Sequence, residues 1–132
     1  MINSEKPKVA LVVEDELPLQ SAIQMKFEKH GFTAVTARSV EQAMDYLEDL
    51  PKVDIIWLDH YLMGKETGLD FVSKVKSHEE WKKIPIFVVS NTAAADKVNS
   101  YLSLGVEKFT VKSNCRLETM IVDMKKFLKE KI

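Results

Sequence analysis

Along the chain, short runs of apolar residues alternate with segments in which apolar residues recur at helical spacing. Short unbroken apolar runs predict buried strands, and the clearest of them are Val9–Val13 and Ile55–Leu58, each stopped by acidic residues. A weaker, alternating run at 32–37, an apolar run at 85–89 and a short run at 109–111 predict three further strands. The pattern therefore indicates five strands spread along the whole chain.

Apolar residues at helical spacing follow each strand and predict five helices. The first helix has Pro18 in its first turn and stops at Gly31. The second begins at Ser39, which forms a capping-box pattern with Gln42, and the fourth spans about 94–104. The apolar face of the first helix consists of Leu19, Ile23 and Phe27, and that of the second consists of Val40, Ala43, Met44 and Leu47. The third helix has Leu69, Phe71, Val72 and Val75 on its apolar face, and the last has Leu117, Met120, Ile121, Met124 and Leu128.

Five β-then-α units with short connections predict an α/β fold, a doubly wound parallel sheet with helices on both faces. The length of 132 residues is that of one domain. We expect a polar lead-in at 1–7 and a single folded domain at 8–132.

Composition narrows the function classes. The formal net charge of −1 gives no field that favours nucleic acid or an anionic membrane. No apolar run approaches a bilayer-spanning length, and the first residues lack a signal-peptide core. The single cysteine, Cys115, excludes an intrachain disulfide, so we expect a reducing compartment, most simply the cytoplasm.

Chemically competent side chains follow four of the five predicted strands. Glu14 and Asp15 follow the first strand, Asp59 the third, Ser90 the fourth and Lys112 the fifth. In a parallel sheet these strand ends lie along one edge, which is where ligands bind in open α/β sheets. The pattern predicts three carboxylates, one hydroxyl and one ammonium in a single site.

Three clustered carboxylates repel one another and hold protons unless a cation lies among them. Carboxylate oxygens that act together with a substrate phosphate suit Mg²⁺. We interpret Asp59 as a nucleophile that accepts a phosphoryl group, with Lys112 as a second positive charge and Ser90 as a hydrogen-bond donor.

This set of residues resembles the response-regulator receiver domain of two-component signalling, over essentially the whole chain. The resemblance implies the strand order 2-1-3-4-5. It also implies that Glu14 and Asp15 are the metal-binding acidic pair and Asp59 the phospho-acceptor. The backbone carbonyl of Tyr61 would be a further Mg²⁺ ligand. Ser90 and Lys112 correspond to the family's switch hydroxyl and lysine.

The resemblance further implies how the domain is used. Phe109 corresponds to the aromatic residue that reports phosphorylation, while Tyr61 and Thr92 hold the positions that tune the lifetime of the phosphoryl group. A sensor histidine kinase or a histidine phosphotransfer protein would be the donor. An output protein would bind the face formed by helix four, strand five and helix five. Whether phosphorylation drives homodimerisation through that face is left open.

The chain departs from the family pattern in three places. The loop that contains Gly64 lacks the usual Met-Pro and is one residue longer, Ser113 replaces the proline that usually follows the lysine, and Phe109 has no hydroxyl. None of these changes removes a chemical group from the site.

Three other functions compete with a receiver. An aspartate-nucleophile, Mg²⁺-dependent phosphatase would be a true enzyme, but its Asp-x-Asp motif after strand one is replaced by Glu14 and Glu16. A pseudo-receiver would bind partners without phosphorylation, although this chain retains every acid and the lysine. A flavodoxin-like carrier disagrees with the acidic loop after strand one. His60 follows Asp59 directly and could be considered a general base or a metal ligand. We expect its side chain to point away from Asp59, because successive strand residues face opposite sides.

Overall fold

The structure is a computed structural model that describes residues 6–91, 94–114 and 116–130. Thr92 and Cys115 lie outside the described residues. The five strands are β1 (Val9–Val13), β2 (Thr33–Ala37), β3 (Ile55–Leu58), β4 (Ile86–Ser90) and β5 (Lys108–Val111). The five helices are α1 (Leu17–Lys29), α2 (Val40–Asp49), α3 (Gly68–Lys76), α4 (Ala95–Ser103) and α5 (Leu117–Glu130), with a 3-10 turn at Lys112–Asn114.

All strand pairs are parallel and the strand order is β2-β1-β3-β4-β5, which confirms the predicted doubly wound sheet. Val13 pairs with Leu58 across β1 and β3, and Leu58 pairs with Val88 across β3 and β4. This register brings the residues that follow β1, β3 and β4 to neighbouring positions at one edge.

The strand boundaries differ by a residue or two from those predicted. Phe32 lies just before β2, where its ring contacts Phe27 edge-on at 5.1 Å between centroids. Ser90 belongs to β4 itself and is paired with Val111. The fourth helix is two residues shorter than predicted. Gly31 stops α1 as predicted, with a φ of +88° that favours glycine.

Two apolar clusters cover the two faces of the sheet. One contains the inward residues of α2, α3 and α4, and the other contains those of α1 and α5. Trp57 of β3 lies in the second cluster, edge-on to Phe27 at 6.2 Å between centroids. Because both faces are covered, the strands read as continuous apolar runs. Within the described ranges, no helix combines the length and apolar character needed to cross a membrane.

Side-chain caps fix the entry of two helices. At α2 the amide of Gln42 donates to the Ser39 hydroxyl at 3.1 Å, as the capping-box pattern predicts. The reciprocal bond is shifted by one residue, because the amide of Arg38 donates to the Gln42 side chain at 2.8 Å. At α3 the amide of Thr67 donates to the Asp70 carboxylate at 2.8 Å. These bonds fix the loops beside the strand ends.

Candidate metal centre at the strand ends

The sheet brings Glu14 and Asp59 side by side, although they are far apart in sequence. The amide of Asp59 donates to the Val13 carbonyl at 2.9 Å, and the amide of Glu14 donates to the Ala37 carbonyl at 2.9 Å. The backbone ladder therefore continues one residue past β1 and β3. Both side chains are almost fully buried, with Glu14 0% and Asp59 3% exposed.

Glu14, Asp15 and Asp59 each offer one carboxylate oxygen, and these oxygens lie within 4.8 Å of one another. Asp15 is the least buried of the three, so the cluster opens to solvent on its side. Oxygen ligands in this number suit a hard divalent cation that retains several waters. The acidic cluster predicted from the strand ends can therefore hold a metal ion.

Lys112 reaches the acids from the 3-10 turn after β5. Its ammonium forms an ion pair with Glu14 Oε1 at 3.0 Å and donates a hydrogen bond to Asp59 Oδ2 at 3.3 Å. The lysine side chain is only 15% exposed, so these contacts are shielded from water. The Lys112–Ser113 peptide is trans, like every peptide bond within the described ranges. One amine thus bridges two of the three carboxylates.

Besides Glu14 Oε1, whose one contact is the ion pair with Lys112, two buried polar atoms of the site have no hydrogen-bond partner among the described residues, namely Asp59 Oδ1 and the Ser90 hydroxyl oxygen. Ser90 is 0% exposed, at the end of β4. Buried polar atoms are nearly always paired, so these two indicate a missing ligand. A free carboxylate oxygen and a free hydroxyl fit a metal ion together with an oxyanion.

Burial dominates the electrostatics of the acids. It raises the pKa of Glu14, the charge of Asp59 adds to that increase, and Lys112 opposes it. Burial likewise raises the pKa of Asp59 against the opposing charge of Lys112. For Lys112 burial acts to lower the pKa, but its bonds to Glu14 and Asp59 outweigh this and the pKa is raised. The Lys112 amine therefore remains charged, and a cation beside Glu14 and Asp59 favours their ionised forms.

Two supporting residues were missed in the sequence. Gln20 lies on the buried face of α1, and its side-chain amide donates to the Glu14 carbonyl at 2.9 Å. The Arg38 guanidinium donates through Nε to the Asp15 carbonyl at 3.0 Å. Gln20 could have been noticed, because it lies on the apolar face of α1 three residues before Ile23. Arg38 gives no such signal.

Three more residues named from the sequence follow β3 or lie on β5. Tyr61 is half exposed, and its ring contacts the His60 ring edge-on at 4.7 Å between centroids. Phe109 is partly buried and packs against the apolar cluster beneath α4. His60 is buried, with Nδ1 2.6 Å from the hydroxyl of Tyr101. Burial lowers the pKa of His60, and the charge of Lys97 adds to this.

The fold and the site define a doubly wound α/β domain with an acidic cluster at its strand ends. The sequence profile of the response regulator receiver domain matches residues 10–123. The chain therefore belongs to the response regulator receiver domain family of two-component signalling. Receiver domains of response regulators are signalling domains that interact with histidine kinases or phosphotransfer proteins.

Individual relatives agree with the family. The rice two-component response regulator ORR11 (Oryza sativa subsp. japonica) is 29% identical over 106 residues, covering 80% of this chain and 71% of its own. The phosphorylated cyanobacterial phytochrome response regulator RcpA superposes with a TM-score of 0.83 at 25% identity, over 96% of both chains. The Mn²⁺-bound form of response regulator Rcp1 superposes with a TM-score of 0.81 at 26% identity, over 96% of this chain and 97% of its own.

Proposed function

We propose that this receiver accepts a phosphoryl group on Asp59 from a phosphohistidine of a sensor histidine kinase or a histidine phosphotransfer protein. Glu14, Asp15, Asp59 and the backbone carbonyl of Tyr61 would hold Mg²⁺. The domain assists its own phosphorylation and dephosphorylation, and its output is a changed protein contact rather than turnover of a substrate.

One observation carries this proposal: Lys112 pairs with one oxygen of Asp59 while the other oxygen and the Ser90 hydroxyl have no partner within the described residues. A structural ion pair would use both oxygens of a buried carboxylate. The free oxygen is instead available to attack phosphorus, and the free hydroxyl can donate to a phosphoryl oxygen. The phosphorylated form of RcpA and the Mn²⁺-bound form of Rcp1 support a phosphorylated, metal-binding receiver by similarity.

The transfer follows from these positions. An Asp59 oxygen attacks phosphorus in line, the phosphorus–nitrogen bond of the phosphohistidine breaks, and the imidazole leaves with the electron pair. The product is an acyl phosphate on Asp59, with Lys112 and Ser90 bound to its oxygens. When bound, Mg²⁺ neutralises charge on the phosphoryl oxygens. Attack by water on phosphorus later returns the carboxylate and inorganic phosphate.

The aspartate-nucleophile phosphatase predicts a different arrangement, because its nucleophile would be Asp15 after β1. Lys112 contacts Glu14 and Asp59 instead. Incubation with Mg²⁺ and acetyl phosphate tests the choice directly. Intact mass spectrometry should show a single phosphoryl adduct, and peptide mapping should assign it to Asp59. An adduct on Asp15, or steady turnover of phosphomonoesters that depends on Asp15, would favour the phosphatase.

Output would use the face formed by α4, β5 and α5, with Phe109 reporting the state of the site. Leu102 of α4 and Val122 of α5 are exposed apolar side chains on two of these elements. These apolar side chains favour a protein partner over nucleic acid. A second copy of this domain would present the same apolar side chains and is therefore one such partner. Sedimentation of the phosphorylated and unphosphorylated protein distinguishes homodimerisation from binding to another protein.

Mg²⁺ should raise the melting temperature of the protein, because the folded state alone assembles the three carboxylates. At about one hundred times the dissociation constant the gain should be about 2.7 kcal/mol. Scanning calorimetry against NaCl of equal ionic strength measures it. Asp15→Asn should reduce the gain by removing one ligand. An equal shift in NaCl alone would contradict a metal site.

Replacing Ser90 with Ala should slow phosphorylation by about tenfold, the effect of losing one neutral hydrogen bond to the phosphoryl group, without lowering stability. The hydroxyl is buried without a partner in the described chain, so its removal relieves an unpaired group. Ser39→Ala is the matched control, because Ser39 caps α2 and its loss should cost about 1 kcal/mol with phosphorylation unchanged. Stopped-flow phosphorylation and urea unfolding give both values. A Ser90 variant that loses as much stability as Ser39→Ala would contradict the assignment.

A further inference from the structure

Helix α4 is held to the domain by one fully buried side chain. Tyr101 is 0% exposed and is the sole buried residue of α4, whereas the residues before and after it are exposed or half-buried. A helix with so little buried surface has low local stability. Its position therefore depends strongly on what holds Tyr101.

The hydroxyl of Tyr101 bonds to the residue directly after Asp59. It lies 2.6 Å from Nδ1 of His60, and both side chains are buried. The His60 carbonyl in turn accepts from the Gly68 amide at 3.0 Å, which ties the same residue to the start of α3. His60 thus connects the end of β3 to both α3 and α4.

The pocket around this hydroxyl requires glycine at position 68. A Cβ at Gly68 would clash with the Tyr101 hydroxyl and would lie 2.9 Å from the Asp59 carbonyl oxygen and 3.1 Å from the His60 Cα. The backbone of Gly68 has no unusual torsion that would otherwise explain the residue. The helix start is therefore built to admit the tyrosine hydroxyl beside the strand end.

Tyr101 also contacts β5, the strand in the proposed output face. Its ring lies 5.6 Å from the Phe109 ring of β5, centroid to centroid, at an interplanar angle of 45°. Through Tyr101, the residue next to Asp59 is in contact with both α4 and β5. A shift of the loop after β3 changes the position that the tyrosine hydroxyl can occupy.

We propose that His60 and Tyr101 are positioning residues whose hydrogen bond holds α4 in place and couples that helix to the chemical state of Asp59. The coupling rests on the proposed function, while the holding of α4 is independent of it. A phosphoryl group on Asp59 displaces the loop that begins at His60, and the bond transmits the displacement to α4. Removal of the bond should loosen α4 and separate it from the site.

Three variants test the bond by hydrogen exchange of the α4 amides in the unphosphorylated protein. Tyr101→Phe and His60→Leu remove it, and residues 97–103 should exchange about three- to tenfold faster while β1 and β3 do not change. His60→Asn is the matched partner of the leucine variant. The oxygen and nitrogen of the asparagine amide are attached to Cγ, as Nδ1 is in histidine, so asparagine can keep the hydrogen bond to Tyr101. It should restore slow exchange.

Tyr46→Phe is the control for loss of a tyrosine hydroxyl, since Tyr46 packs against the same apolar cluster from α2. It should leave α4 exchange unchanged. Exchange of α4 in Tyr101→Phe and His60→Leu no faster than in this control would overturn the proposal. Equal acceleration in His60→Asn and His60→Leu would also overturn it, since packing rather than the bond would then be responsible.

The coupling is measured on the phosphorylated proteins, with each adduct quantified by mass. Phosphorylation should change α4 exchange in the wild type, and that change should fall to less than about one third in Tyr101→Phe at the same adduct level. An unchanged response in the variant would overturn the coupling. Failure of the wild type to form any adduct would instead count against the proposed function, and the unphosphorylated variants would still decide whether the bond holds α4.

Discussion

Asp59→Asn should abolish the phosphoryl adduct formed with acetyl phosphate and Mg²⁺. The amide is a poor nucleophile and a poor metal ligand, whereas the carboxylate has one free buried oxygen beside Lys112. We expect at least about a thousandfold loss of rate, because neither amide atom of asparagine can attack phosphorus as the carboxylate does. The variant should still fold, since asparagine has the same shape as aspartate.

Two controls make this result specific. Asp45→Asn removes an exposed carboxylate of α2 and should leave the adduct at the wild-type level. Asp15→Asn removes a metal ligand and should slow the reaction while the adduct still maps to Asp59. An adduct that persists at full level in Asp59→Asn would refute the assignment of the nucleophile. An adduct lost equally in Asp45→Asn would mean that the assay reports general damage.

Asp59→Asn should also be more stable than the wild type when no metal is present. Burial raises the pKa of Asp59 above its ordinary value of 3.8, so the folded state holds this proton more tightly than the unfolded chain. That stabilisation is present below the ordinary pKa and is lost as the pH rises through the folded-state pKa. Asparagine avoids this loss, so the free energy of unfolding of Asp59→Asn should exceed that of the wild type at neutral pH, and the difference should disappear as the pH falls to the ordinary pKa of aspartate. Urea unfolding with EDTA at several pH values measures it.

The sheet and its acidic edge could be predicted because they follow from local patterns. The buried strands of a parallel sheet are unbroken apolar runs, and β3 has the predicted bounds, Ile55–Leu58. The five β-then-α units restrict the topology, so Glu14 and Asp59 fall at one edge without any distance information. The boundary at Ser90 was misjudged because β5 continues its ladder with β4 for one more residue.

What the sequence could not provide is the pairing of polar side chains in the interior. The alternation of strand residues predicted that His60 points away from Asp59, but it could not identify Tyr101, 41 positions later, as the partner of the imidazole. Gly68 falls at the entry of the third helix in the sequence, and only the close approach of the tyrosine hydroxyl explains why that position is a glycine. Such contacts depend on side-chain packing between elements, for which a single sequence carries no periodic signal.

Lys112→Met should slow phosphorylation of Asp59 by about a hundredfold, because it removes the ammonium that would stabilise the phosphoryl oxygens but keeps the length of the side chain. In the absence of metal it should also cost about 3 kcal/mol, since Glu14 and Asp59 would lose their buried cation. The loss of stability should shrink as the pH falls, because protonated carboxyl groups need no counter-charge. Calorimetry and stopped-flow phosphorylation measure the two effects.

Lys108→Met is the matched control, because Lys108 begins β5, the strand that leads into the turn with Lys112. Its ion pair with Asp123 is long, at 3.8 Å, and both side chains are about half exposed, so stability and rate should change little. Saturating Mg²⁺ separates the two roles of Lys112. A divalent cation among the acids should recover much of the lost stability, because it supplies the missing charge, but it should leave the rate low, because it cannot occupy the position of the amine. If Mg²⁺ restored the rate as fully as the stability, Lys112 would be a structural counter-ion, and the charge that assists transfer to Asp59 would have to come from the metal alone.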